Sequence, residues 1–393
     1  MASPHEVTPA PNDPSASTSG ASPSPDDGPL WRRVAAQASR LGEHRAAPYA
    51  SAGAALFCIG VVFWMLARHL TYTYVNDDER CFVWTGWSIN RGLVPYRDFS
   101  DFKPPIVFLA NAVALRFFGL EQQGYRYFFT GLAGLSVLAL SISLLRRNVN
   151  RFAVIAIGFA VCWLWLDTSF HDSSFDDAES IGMSFYLLGV ASLLLRERAA
   201  QRYTDLVGGA CLAIAVLAKE PFALAVLPTW AAFAALRFAE KETPRATQRF
   251  AAFSLAGSAF VAICLFGYFA AHGALGEYLT TVYRYGTMGK TVCVAAGRWE
   301  NGTPEFERYV KYARLTHNLV DIEHLGPLGP LMLAPFLVSR GRQILVTIAA
   351  TLALFGGLYA VTIGGCFYDH YYIMGMTGLL FMMVVGAVLL SPH

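Results

Sequence analysis

The sequence predicts an all-α polytopic membrane protein, a bundle of about ten transmembrane helices behind a polar tail, and three observations predict it. Hydrophobic residues make up 55% of the 393 positions and charged residues only 15%, against about 25% charged in a soluble domain. The mean hydropathy is +0.41. Uncharged runs long enough for the ~30 Å hydrocarbon core recur along the chain. The formal net charge of +2 gives no footing for nucleic acid as a partner, and no Lys/Arg run marks a basic interaction tail. Membrane lipids are the surroundings that this composition implies.

Residues 1–45 are rich in Pro, Ser, Ala and Asp ("TPAPNDPSASTSGASPSPDDGP"). They lack the apolar content that would offset ordering entropy, so a disordered cytoplasmic tail is expected. A cleavable signal peptide is not expected, because the first apolar run starts late, near Arg45, and runs too long for an h-region.

The transmembrane domain then covers 46–393. Long uncharged segments at 46–67, 127–145, 250–271, 344–368 and 371–392 are expected to span. Shorter ones at 152–166, 180–195, 206–218, 221–236 and 325–339 span if their ends are buried in protein or reach a cavity. Residues 106–118 are too short to cross, since about ten uncharged residues cover only half of the core. They are expected to lie on the membrane surface.

With ten spans and a cytoplasmic N-terminus, the positive-inside preference sets the orientation. The Arg146/Arg147/Arg151, Arg196/Arg198/Arg202, Arg237/Lys241/Arg245/Arg249 and Arg340/Arg342 groups then all face the cytoplasm, as does the C-terminus. The cytoplasmic side carries 16 Lys/Arg against 9 Asp/Glu, and the opposite side 14 against 19. Carboxylates therefore gather on the external face, in pieces 69–126, 167–179 and 272–324.

Two charged interruptions fall where charge is expensive. Lys219-Glu220 follows a short apolar run and precedes Pro221. Ionisable groups at that depth are costly unless they face a cavity or one another, which leaves a polar pocket or a Lys219/Glu220 ion pair. Asp369-His370 interrupts two strongly apolar segments, with Tyr371 and Tyr372 beside it as pocket or interfacial aromatics.

Several motifs in order resemble a family. Asp78-Glu79 lies just outside the first apolar segment, followed by the helical "ERCFVWTGWSIN", Gly92, Pro95 to Phe99 ("PYRDF"), Lys103 to Pro105 ("KPP") and a surface segment ending in Phe118-Gly119. This resembles the first external loop of the GT-C superfamily of membrane glycosyltransferases, in the branch of bacterial protein O-mannosyltransferases and lipid A aminoarabinose transferases. "AVLAKEPFALAVLP" and "GGCFYDHYYIMGMTGLLF" resemble that branch's Lys-bearing helix break and HYY-type turn. The resemblance covers roughly 46–392, without the large soluble C-terminal domain of some relatives.

The resemblance implies an inverting glycosyltransferase of the bacterial inner membrane, with no required cofactor. It implies a sugar donor linked to polyprenyl phosphate and a glycan, lipid or protein acceptor outside the cytoplasm. An acceptor hydroxyl needs a base; Asp78 is the candidate, with Asp77 the alternative in register and Glu79 beside them. The leaving phosphate needs cations, for which Lys219, Lys103, His370 and Arg284 are available, with Tyr371 adjacent. Arg97 either joins them or braces its own loop against Asp98 or Asp101. Asp172, Asp176, Asp177 and Glu179 are candidates for a second carboxylate. With Asp77, Asp78 and His171 they also make a set of hard ligands for a divalent cation, although the resemblance implies none. The aromatic and basic loop 272–324 is read as acceptor contact or lid.

Cys58, Cys162, Cys211 and Cys264 fall in apolar runs, whereas Cys81, Cys293 and Cys366 lie outside, where one disulfide can persist. No metal-type Cys/His spacing occurs. Asn301-Gly302-Thr303 matches a glycosylation acceptor that has meaning only in a secretory host. The competing class is a transporter or lipid flippase; the repeated halves that mark many transporters are not found.

Overall fold

The computed structural model describes residues 60, 77–99, 101, 103–119, 122–169, 177–195, 200–240, 243–282, 284, 329–363 and 371–391. Eleven helices are defined among them, and no strand. They are α1 (Asp77–Asn90), α2 (Pro105–Phe118), α3 (Gln122–Arg146), α4 (Arg151–Ser169), α5 (Ala178–Leu194) and α6 (Gln201–Ala218). A 3₁₀ turn, Glu220–Phe222, leads into α7 (Ala223–Ala239), followed by α8 (Pro244–Ala271), α9 (Gly329–Val338), α10 (Gln343–Ile363) and α11 (Tyr372–Leu390). Residues 275–282 are also helical.

The boundaries follow local chemistry. Pro105 opens α2 at a position where its missing N–H is not needed, and Gly119 closes it with φ 78° and its amide on the Leu115 carbonyl. Thr243 caps α8 by accepting from the Ala246 amide, with Pro244 at the first turn. Lys219 takes an extended conformation (φ −155°, ψ 114°), and Pro221 then resets the direction.

Nine of the ten expected spans coincide with helices α3 to α11; the first, 46–67, apart from residue 60, and the tail lie outside the described residues. Five stretches are long and apolar enough to cross a membrane: Gly124–Arg146, Glu220–Ala239, Pro244–Ala271, Gln343–Val361 and Ile373–Leu390. Residues 106–118, expected not to cross, form the 14-residue α2, about 21 Å long at 1.5 Å per residue.

Contacts between helix ends set the relative directions of α3, α5, α6, α7 and α11. Arg147, just past α3, donates to the Leu194 carbonyl at the end of α5 and pairs with Glu240 past α7 at 2.9 Å. Asp205 in the first turns of α6 pairs with Arg237 in the last turn of α7 at 2.5 Å. These groups mark one end of the bundle, the Arg147 end. Glu179 at the start of α5 meets Lys219 at the end of α6, and Tyr371 at the head of α11 lies beneath Lys219. These mark the other, the Asp78 end.

Close crossings hold the layers together. A Cβ on Gly209 of α6 would lie 1.9 Å from the Ser254 carbonyl oxygen of α8, and one on Gly257 2.0 Å from that of Leu206. Without side chains there the two backbones touch, the packing that replaces a hydrophobic driving force inside lipid. One expectation is corrected here. Arg237, expected in a cytoplasmic loop, is inside α7, and Asp205, just outside the expected 206–218 span, is inside α6; both are buried and paired, with Arg237 also over the Phe250 ring at 4.6 Å. An unpaired charge at either position would be far costlier than the pair.

Candidate functional site

The Asp78 end is built from the loop between α1 and α2. Tyr96 has a positive φ of 67°, a conformation that a bulky side chain rarely adopts. Its surroundings hold it there. The ring is buried against Phe108, Phe269 and Tyr278, the amide donates to the Phe99 carbonyl, and the hydroxyl donates to the Lys103 carbonyl at 2.7 Å. Asp98 closes the turn by accepting from the Val94 amide at 2.7 Å and from two guanidinium nitrogens of Arg97. Those bonds hold the Asp98 carboxyl down at about 2. Arg97 also donates to the His272 carbonyl at 3.0 Å, tying the loop to the end of α8. Of its two expected roles, Arg97 takes the brace against Asp98.

The turn presents Lys103 to the bundle. Its ammonium pairs with Asp78 at 2.8 Å and lies 5.3 Å from the centre of the Phe82 ring. Asp101 accepts from the Lys103 amide and from the Cys81 thiol at 3.2 Å. Burial and the neighbouring Lys219 ammonium pull the Lys103 pKa down. The Asp78 and Glu179 carboxylates pull it up, and the net direction is upward. Lys103 therefore remains a cation at neutral pH.

A second pair stands beside the first. Lys219 Nζ lies 2.7 Å from Glu179 Oε1 and 4.5 Å above the Tyr371 ring. The pair that the sequence suggested, Lys219 with its neighbour Glu220, is not the one formed; the partner comes from α5. Asp78, Lys103, Glu179, Lys219 and Tyr371, spread over almost 300 positions, thus meet at one end of the bundle. Asp78 is the most open, with 46% of its side chain exposed, against 11% for Lys103, 12% for Lys219 and 2% for Glu179.

Glu79 points inward. Its two oxygens accept from Nε and Nη2 of Arg126 at 2.7 and 2.9 Å, and the Tyr125 hydroxyl donates to it as well. Both charged groups are buried. This triad fastens α1 to the start of α3, and with it the position of Asp78. Arg126 and Tyr125 were not singled out in the sequence; the only signal was an arginine beside a tyrosine ahead of an apolar run.

The remaining candidates are placed as follows. Asp177 is buried immediately before α5. Arg284 is exposed just past the 275–282 helix. Cys81 is a free thiol, pushed up to about 12 by burial and by its bond to Asp101. Asp77 belongs to α1, and its side chain lies outside the described set. His171, Asp172, Asp176, Asp369, His370, Cys293, Cys366, the Asn301 triplet and most of the 272–324 loop lie outside the described residues. Among the described residues, no group of three or more His, Cys, Asp or Glu is arranged to hold a metal ion. In comparisons with known proteins, no family model, no curated protein and no solved structure matches the chain.

Proposed function

We propose that the chain is an inverting membrane glycosyltransferase that takes a sugar from a polyprenyl phosphate and places it on an acceptor at the external face. In this reading ten helices span the bacterial inner membrane, both termini are cytoplasmic, and the Asp78 end faces outward. The observation that carries it is the convergence of two lysine–carboxylate pairs, Asp78 with Lys103 and Glu179 with Lys219, from four separate stretches of chain. Asp78 and Glu179 already neutralise the two ammoniums, so the lysines can pass from those carboxylates to an incoming anion without being left as uncompensated charges. A lipid phosphate at the mouth of a membrane bundle is such an anion.

The geometry divides the labour. The acceptor hydroxyl gives its proton to Asp78, the most open carboxylate, as its oxygen bonds to the anomeric carbon. The bond from that carbon to the phosphate oxygen breaks on the opposite face, and the phosphate leaves with the electron pair and an added negative charge. Lys103 and Lys219 stabilise that charge, because it grows toward the transition state. Glu179 and Asp78 hold the two ammoniums in place before the donor arrives, and Glu79 with Arg126 positions α1.

The test is transfer by the full chain in nanodiscs from a radiolabelled polyprenyl-phosphate sugar. Asp78→Asn keeps size but removes the base, and is expected to lower the rate by about 10² to 10⁴. Binding of bare polyprenyl phosphate should hardly change. Lys219→Ala should weaken that binding. Wild-type transfer rates in both Asp78→Asn and Asp77→Asn would refute the reading.

A further inference from the structure

Glu220 is a charged group at this end that the proposed transfer does not use. Its neighbours in sequence are spoken for: Ala218 and Phe222 are fully buried, and Lys219 turns toward Glu179 and Tyr371. Because Lys219 is extended, the next side chain points away from it. Glu220 opens the 3₁₀ turn and is exposed, although it sits between buried residues at the break of two apolar helices. Its carboxylate accepts from its own amide, and the Lys219 ammonium and the Glu179 carboxylate both act on it through space. It therefore looks into open space at the Asp78 end.

Beyond Lys219, what the Glu220 charge meets is aromatic and phenolic. The Glu220 charge reaches the phenols of Tyr96 and Tyr278. Tyr278 is pushed up to about 12, by burial first and by Glu220 second, so it stays a neutral hydroxyl. Tyr278 stacks on Phe269 at 4.8 Å, and Tyr96 packs against both. A carboxylate only accepts hydrogen bonds and repels phosphate, whereas sugar hydroxyls are donors.

We propose that Glu220 binds the hydroxyl groups of the sugar, so that the neutral polyol faces the Glu220–Tyr278 side while Lys103 and Lys219 face the phosphate. This rests on the glycosyltransfer reading and adds a residue that orients and selects the sugar. The opposed charges give the donor one polarity in the site, with phosphate at the lysines and hydroxyls at the carboxylate.

The experiment compares two kinds of ligand on the full chain in nanodiscs. One is bare undecaprenyl phosphate, and the other is the same lipid carrying a hexose, a pentose or an N-acetylhexosamine. In the wild type, at least one sugar should tighten binding by about tenfold, the worth of one or two bonds to a charged acceptor. Glu220→Gln and Glu220→Ala should lose that gain, yet bind the bare lipid as tightly as wild type or more tightly, since a nearby negative charge is gone. A purely structural role would weaken both ligands together. If either variant keeps the sugar's gain, loses both affinities in parallel, or if no sugar adds affinity in the wild type, the assignment of Glu220 is overturned while transfer still stands. If wild type binds the bare lipid no better than undecaprenol, the transfer reading itself fails and takes this one with it.

Discussion

Replacing Arg126 with Met should destabilise the α1 layer severely, and the structure sets the size. Glu79 is 1% exposed, and Arg126 supplies two of its hydrogen bonds, at 2.7 and 2.9 Å. Without the guanidinium the buried carboxylate loses its ion pair with Arg126 and both of those hydrogen bonds. Breaking a buried pair from one side costs about 3 to 5 kcal/mol. In a chain of this size that corresponds to a fall of about 4 to 6 °C in melting temperature. Tryptophan fluorescence in detergent would follow the melt, and limited proteolysis between α1 and α2 would report local release of the layer. Glu79→Gln combined with Arg126→Met should recover most of the loss, because the orphaned charge is gone. If the proposed transfer holds, its rate should fall in Arg126→Met even at temperatures where the bundle stays folded, since Asp78 is held by the same brace. A single variant melting within about 1 °C of wild type, or a double variant worse than the single, would refute the reasoning.

The remaining predictions concern chemistry, packing and orientation. The Cys81 thiol, with its pKa pushed up to about 12, should react with iodoacetamide at pH 8 about 10³-fold more slowly than an ordinary thiol, whose pKa is about 8.5. The rate should keep climbing tenfold per pH unit beyond pH 9, and Asp101→Asn should speed it; ordinary alkylation of the Cys81 peptide by mass spectrometry would contradict this. Gly257→Val should split α8 from α6, because the new side chain would meet the Leu206 carbonyl; an unchanged melting temperature would show that the crossing is looser than it looks. Arg91→Cys, at the Asp78 end, should be labelled only from outside the cell and Arg340→Cys only from the cytoplasm, and the reverse pattern would invert the topology.

The helices were legible because a membrane removes the ambiguity of a soluble sequence. An uncharged run of fifteen to twenty residues has few alternatives to a helix inside lipid, and charges, Pro and Gly mark where it stops. Arg146, Arg151 and Arg340 ended helices or loops as read. Asp205 and Arg237 did not, because the same rule that puts a charge in a loop cannot see a partner 32 residues away on the next helix. Arg126 was missed for the same reason, its partner lying 47 positions earlier. Charge as punctuation works only for charges that meet water.

The residues that cluster at the Asp78 end were among the sequence's candidates, but their pairing was not legible. Lys219 was singled out by the cost of its depth, Asp78 (with Asp77 as the alternative) and Lys103 by the resemblance, and Glu179 as one of four carboxylates, while a Lys219–Glu220 pair stood as one of two readings. The extended backbone at Lys219 separates it from Glu220, and only the packing of α5 against α6 brings Glu179 under it. The turn that delivers Lys103 was less visible still. A positive φ is ordinarily announced by Gly or Asn, and here it falls on Tyr96, where the ring contacts and the bond to the Lys103 carbonyl outweigh the local preference. The strained residue and the lysine it presents are seven apart. The unfavourable conformation at Tyr96 is therefore the means by which a surface loop holds an ammonium at a fixed place beside Asp78, where a flexible loop would let it reach for solvent instead.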